Sequence, residues 1–123
     1  MLDTKKVLII EDDNMISSMY RTKLEQDGYN VIIANDGAEG LDKARERMPD
    51  IILLDVIMPQ LDGFTVLKEL RENMNVKVPI VMLTNLGTDE DQEKGYNLGA
   101  SDYLVKANLT PSQVSETIQK NLK

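Results

Sequence analysis

The sequence predicts an α/β domain: one doubly wound, five-stranded parallel sheet with helices on both faces. Two observations predict it. Five short apolar runs recur along the 123 residues without alternating apolar and polar positions, the pattern of strands buried on both faces. Between the runs lie segments whose apolar residues recur at helical spacing. The order is strand then helix throughout, and right-handed crossovers turn such a chain into a sheet covered on both sides.

The apolar runs are residues 7–10, 31–34, 51–54, 80–83 and 103–105. The first helix is expected over about 14–27, with Ile16, Met19, Tyr20 and Leu24 on one face. The second, about 37–47, places Ala38, Leu41, Ala44 and Met48 together. The third, about 63–73, does the same with Phe64, Leu67, Leu70 and Met74. The last, about 111–122, carries Val114, Ile118 and Leu122. Asp36 to Glu39 and Thr110 to Gln113 read as capping boxes, the second with Pro111 at the first helical position. Gly28 and Gly99 read as helix ends. The fourth helix, 88–98, differs. It offers only Tyr96 and Leu98 as large apolar groups, with Gly95 inside it, and is expected to be loosely held. No linker, repeat or low-complexity segment interrupts the chain, so residues 1–123 are expected to form one domain.

Composition narrows the chemistry. There is no Cys and no His, so a thiol nucleophile, a Cys/His zinc site and a histidine base are excluded. The formal charge of −7 argues against direct nucleic-acid binding. No apolar run approaches the roughly 18 residues of a membrane span, and the first residues have no signal-peptide core. A cytoplasmic location is expected.

In doubly wound sheets the site lies beyond the carboxyl ends of the strands. Glu11, Asp12 and Asp13 follow the first apolar run and Asp55 the third. Thr84 and Asn85 follow the fourth, and Lys106 the fifth. If the first, third, fourth and fifth strands lie side by side, these groups converge. Clustered carboxylates need a cation or proton between them. Hard oxygen ligands with open positions suit Mg²⁺, Lys106 can meet an anion, and Asp55 can serve as a nucleophile. Singly, each residue has a plainer reading. An acidic triplet after a strand is usually a turn or helix cap, as Asp13 and Asn14 are expected to be, and Asp62 before Gly63 reads the same way. A strand-end threonine is usually a satisfied hydroxyl, and an isolated lysine a surface charge. Their conjunction on one rim carries the functional reading.

The segments VLIIEDD, LLDVIMPQLDG, VMLT and LGASDYLVK, in this order and spacing, resemble the successive signatures of response-regulator receiver domains, the chemotaxis-regulator-like family of two-component signalling. The resemblance covers essentially the whole chain. It implies a flavodoxin-like fold with strand order 2-1-3-4-5. It implies that Asp55 accepts a phosphoryl group from the phosphohistidine of a histidine kinase or phosphotransfer protein. Glu11, Asp12, Asp55 and the main-chain carbonyl of Ile57 would hold Mg²⁺. Thr84 and Lys106 would contact the phosphoryl group, and Tyr103 would be an aromatic switch following Thr84. Met58, Pro59 and Gly63 would shape the loop beside the site. The output would be a surface of the fourth helix, fifth strand and fifth helix that engages a downstream effector, either a separate partner or a further part of a longer protein, with the domain a monomer or a phosphorylation-dependent homodimer. Such a domain assists its own phosphorylation and turns over no external substrate.

The chain departs from the family pattern at four positions. Ala107 replaces the usual proline after the lysine, so a trans bond is expected, since a cis bond there would cost about 2.5–4 kcal/mol. Asn85 stands where a small residue is usual. Ile57 and Leu86 are apolar where many relatives are polar, which predicts slow self-dephosphorylation. Two alternatives stay in view: a docking module that no longer takes phosphate, and a haloacid-dehalogenase-like phosphatase. The phosphatase would need a second aspartate where Ile57 stands.

Overall fold

The computed structural model describes residues 4–122. Five parallel strands, β1 (Lys6–Ile10), β2 (Asn30–Ala34), β3 (Ile51–Leu54), β4 (Ile80–Thr84) and β5 (Asp102–Val105), form one sheet in the order β2-β1-β3-β4-β5. β1 pairs with β2 from Lys6↔Asn30 to Ile10↔Ala34 and with β3 from Val7↔Ile51 to Ile10↔Leu54. The continuous apolar runs are explained by two cores. Even positions of β1, with Ile52, Leu54 and Met82, pack beneath Ala44, Phe64 and Leu67. Odd positions, with Leu53 and Val81, pack beneath Tyr20, Leu24, Val114 and Ile118. Each strand residue therefore faces one helical layer or the other.

The helices are α1 (Asn14–Gln26), α2 (Gly37–Arg47), α3 (Gly63–Lys68), α4 (Asp89–Asn97) and α5 (Pro111–Asn121). Asp13, Asp36, Asp62, Thr88 and Thr110 each cap a helix with a side-chain oxygen. Only Thr110 and Gln113 complete a reciprocal box. At α2 the expected box is half-made, because Glu39 turns to Lys43 one turn on, at 3.3 Å. Two helix faces also differ from expectation. Met19 is exposed on α1, and α2 buries Gly37, Gly40 and Ala44 instead of Ala38 and Met48. Gly28 and Gly99 end α1 and α4 at φ of 95° and 106°, as expected. α3 runs on through a wider turn, Glu69–Asn73, closed by the Met74 N–H on the Glu69 carbonyl at 3.0 Å. α4 buries only Gly95 within its span, in line with its few large apolar groups.

Candidate functional site

The backbone pairing carries the chain past the strand ends and places the acids. The Glu11 N–H donates to the Ala34 carbonyl and the Asp55 N–H to the Ile10 carbonyl, both at 3.1 Å. Glu11 and Asp55 are thus held at neighbouring strand ends, and both are buried. Thr84 is the last residue of β4 and is fully buried. Lys106 opens the short 3₁₀ turn Lys106–Asn108 that leaves β5. The Lys106–Ala107 bond is trans, since no described peptide bond is cis.

These ends converge on one rim. One carboxylate oxygen from each of Glu11, Asp12 and Asp55 lies within 4.8 Å of the others. The Lys106 ammonium donates to Glu11 and, at 3.2 Å, to Asp55. The second Glu11 oxygen accepts from the Asp13 N–H at 3.1 Å, and the second Asp55 oxygen from the Ile57 N–H at 3.3 Å. The acidic triplet therefore divides its work. Asp13 caps α1, accepting from the Met15 and Ile16 amides, while Glu11 and Asp12 join the cluster. Asp62 caps α3 through Thr65 and stays out of it. Burial, helped by the neighbouring Asp55 charge, pushes Glu11 up to about 7 against the pull of Lys106 and the Asp13 amide. For Lys106, burial works downward but the two carboxylates outweigh it, so the ammonium is held above its ordinary value. Three carboxylates against one ammonium leave the rim deficient in positive charge. Hard oxygen donors with an open side are the ligand set that Mg²⁺ takes.

A depression of about 290 Å³ opens over this rim, bordered by Asp12, Asp55, Ile57, Asn85 and Lys106. Ile57 is 56% exposed at its edge, and its N–H donates to Asp55. Gly63 closes the loop behind Asp55. Its N–H donates to the Val56 carbonyl at 2.9 Å, and any Cβ there would collide with the Asp55 and Val56 backbone. Met58 is buried beneath this loop, and Gln60 takes the left-handed turn at φ 69°.

Thr84 and Leu86 sit differently from the other candidates. Thr84 does not border the depression, and its hydroxyl accepts from the Leu86 N–H at 3.4 Å. Leu86 packs half-buried against the core, so of the two apolar shields expected over the site only Ile57 stands at its edge. Asn85, noted in the sequence chiefly as a departure, borders the depression itself. The buried Tyr103 ring sends its hydroxyl to the Leu86 carbonyl at 2.6 Å, and burial pushes its ionisation up to about 12. The tyrosine is thereby tied to the segment that follows Thr84. Gly95 had no evident role in the sequence. A Cβ on it would strike the Tyr103 ring, so the glycine is what lets α4 lie on the tyrosine.

A five-stranded parallel sheet in this order, with an acid cluster and one lysine at its carboxyl rim, defines a receiver-type α/β domain. The chain belongs to the response regulator receiver domain family, whose profile matches residues 7–119. It is 40% identical over 119 residues to the alkaline phosphatase synthesis transcriptional regulatory protein PhoP of Bacillus subtilis, covering 97% of this chain and 49% of that one. It is 40% identical over 116 residues to the DNA-binding dual master transcriptional regulator RpaA of a Synechocystis strain, covering 94% and 46%. Chemotaxis protein CheY4 of Vibrio cholerae superposes with a TM-score of 0.91 at 36% identity, over 98% of this chain and all of that one. The beryllofluoride-activated receiver domain of Klebsiella pneumoniae RstA gives 0.90 at 28% identity, over 97% and 99%. The chain spans about half the length of the curated relatives it matches. Receiver domains of response regulators are generally not turnover enzymes, and the phosphatase alternative loses its footing. Among the described residues, no helix is long and apolar enough to cross a membrane.

Proposed function

We propose that residues 1–123 form one receiver domain that takes a phosphoryl group on Asp55 from the phosphohistidine of a kinase or phosphotransfer protein. The observation that carries this is the Glu11, Asp12 and Asp55 cluster with Lys106 bridging two of its members. An Asp55 carboxylate oxygen forms the new P–O bond as the P–N bond to the donor imidazole breaks, and the departing nitrogen takes up a proton. Glu11, Asp12 and the Ile57 carbonyl would hold Mg²⁺ with Asp55, and when bound it supplies the positive charge that three carboxylates and an incoming phosphate require. Lys106 already sits against Asp55 and exchanges part of that contact for a phosphoryl oxygen. Thr84 turns its hydroxyl outward to a second oxygen, vacating its contact with the Leu86 amide and freeing space beside Tyr103. The signal leaves through α4, β5 and α5, where a downstream effector docks.

The experiment is incubation with acetyl phosphate and Mg²⁺, read by intact mass spectrometry. The wild type is expected to gain one phosphoryl group and Asp55→Asn none. An Asn variant that gains phosphate equally well removes Asp55 from this role. A wild type that gains none, and that shows no spectral change with beryllofluoride, is instead a docking module on the same fold.

A further inference from the structure

The sheet ends on β2 at one side and on β5 at the other. Around β2, residues 29–35 read YNVIIAN, a stretch with no charge, no Pro and no Gly and with Val31, Ile32 and Ile33 β-branched. On an open edge, that composition invites pairing with another chain. The ladder shows which groups are free to pair. The Asn30 N–H donates to the Lys5 carbonyl at 2.9 Å, and the Ala34 carbonyl accepts from the Glu11 N–H at 3.1 Å. In a parallel ladder, the residues that bond one neighbour alternate along the strand. Asn30, Ile32 and Ala34 therefore serve β1, and Val31 and Ile33 turn their N–H and C=O outward.

Both outward carbonyls are taken by basic side chains. Arg21 of α1 donates to the Val31 carbonyl at 3.4 Å, and Lys43 of α2 to the Ile33 carbonyl at 3.0 Å. α1 and α2 cover opposite faces of the sheet, so the two bases come round the edge from both sides. Each is steadied by a glutamate one turn away on its own helix, Arg21 by Glu25 at 3.7 Å and Lys43 by Glu39 at 3.3 Å. These exposed ion pairs add little stability; their effect is to aim the bases. Glu39 leaves the α2 capping box half-made to hold Lys43. Bases at a helix surface ordinarily extend into water. Here two of them, from separate helices, fold back onto the two carbonyls that the edge leaves open.

We propose that Arg21 and Lys43 close the β2 edge against a second copy of this chain. Two copies meeting across a two-fold axis would set β2 antiparallel to its mate, and each would need the outward carbonyls of the other as acceptors. The bases occupy those acceptors and would bring like charges from both copies to one seam. β5, with the output face, lies at the other edge of the sheet and is untouched by this closure.

The test is Arg21→Ala with Lys43→Ala in the whole, unphosphorylated chain, followed by sedimentation velocity and by amide hydrogen exchange read by NMR. Alanine suits both helices. Losing two bases makes an acidic chain more acidic, so general repulsion works against association. The double variant is nevertheless expected to associate at a concentration at least about tenfold below the wild type. On association, the outward Val31 and Ile33 amides are expected to slow at least about tenfold, while Ile32, already bonded to β1, changes little. Lys43→Ala alone, which keeps Arg21 in place, is expected to associate about threefold sooner than wild type, and it carries the test if the double variant does not fold. A folded variant that associates no sooner than wild type up to millimolar concentration overturns the proposal. So does association that leaves the Val31 and Ile33 amides unprotected. Neither reading depends on phosphorylation of Asp55.

Discussion

Asp12 and Asp13 are adjacent in the chain and do separate work. Asp13 spends its carboxylate on two amides at the start of α1, while Asp12 offers an oxygen to the cluster with Glu11 and Asp55. Asp13→Ala should therefore cost about 1 kcal/mol of stability and leave Mg²⁺ affinity within about twofold. Asp12→Ala should weaken Mg²⁺ at least about tenfold with little change in stability. Calorimetric titration beside urea unfolding reads both, and the reverse pattern would reassign the pair. Tyr103 makes a pH prediction. Its hydroxyl donates to Leu86, and burial, with the Asp91 and Asp55 charges, raises its ionisation from 10 to about 12. The raised value means that the neutral form is the one the fold favours. Its contribution is complete below pH 10 and is lost as pH rises through 12, by up to about 3 kcal/mol. Unfolding measured between pH 9 and 12 should fall more steeply for the wild type than for Tyr103→Phe. Parallel curves would mean the hydroxyl is not held as described.

At the scale of elements, α4 and the strand after it hang on Arg71. This guanidinium donates to the Gly99 carbonyl at 2.9 Å, to the Val76 and Val78 carbonyls at 2.8 and 2.7 Å, and to the Ser101 hydroxyl at 3.3 Å. It thus joins the end of the widened α3 turn to the bend that delivers β5. Burial alone lowers its ionisation, yet every partner is neutral, so the charge is spent on backbone acceptors. Arg71→Met should cost about 2–3 kcal/mol. It should also speed amide exchange at Gly99 to Ser101 more than in β1 or β3, while Arg71→Lys recovers only part. Uniform acceleration across the sheet would make Arg71 an ordinary stabilising residue. The sequence does not reveal this role, because an arginine partnered by carbonyls 5, 7 and 28 positions away leaves no pattern of charge or period. The strands were legible because both faces of each are buried, and the caps because Asp and Thr stand just before apolar periods. Met19 and Met48 were misassigned for a related reason. Helical spacing ranks residues by hydrophobicity, whereas α2 approaches β1 closely through Gly40, which touches Ile10. The acidic rim was legible through chemistry at strand ends, but the depth of Thr84 and the inward turn of Leu86 depend on how the chain leaves β4.

For the whole molecule, the two cores are apolar and well covered, and the charge problem is confined to the rim. Glu11 and Asp55 are buried there with a single ammonium between them, and Asp12 lies close by. Burying like charges opposes folding unless a cation resolves the repulsion. The chain already carries seven excess negative charges, so its general field does not help. The fold therefore keeps a site that works against its own stability. Asp55→Asn removes one buried charge and two repulsions and gives up one contact with Lys106, which Glu11 still holds. In magnesium-free buffer this variant should melt about 3–6 °C higher than the wild type, a gain of about 1 kcal/mol. Millimolar Mg²⁺ should close the gap, because the cation stabilises the wild type by mass action and binds the variant less. Differential scanning calorimetry with and without Mg²⁺ checks both halves. An Asn variant that melts lower without Mg²⁺ would show that the Lys106 contact outweighs the crowding of carboxylates, and the rim would then be a net support of the fold.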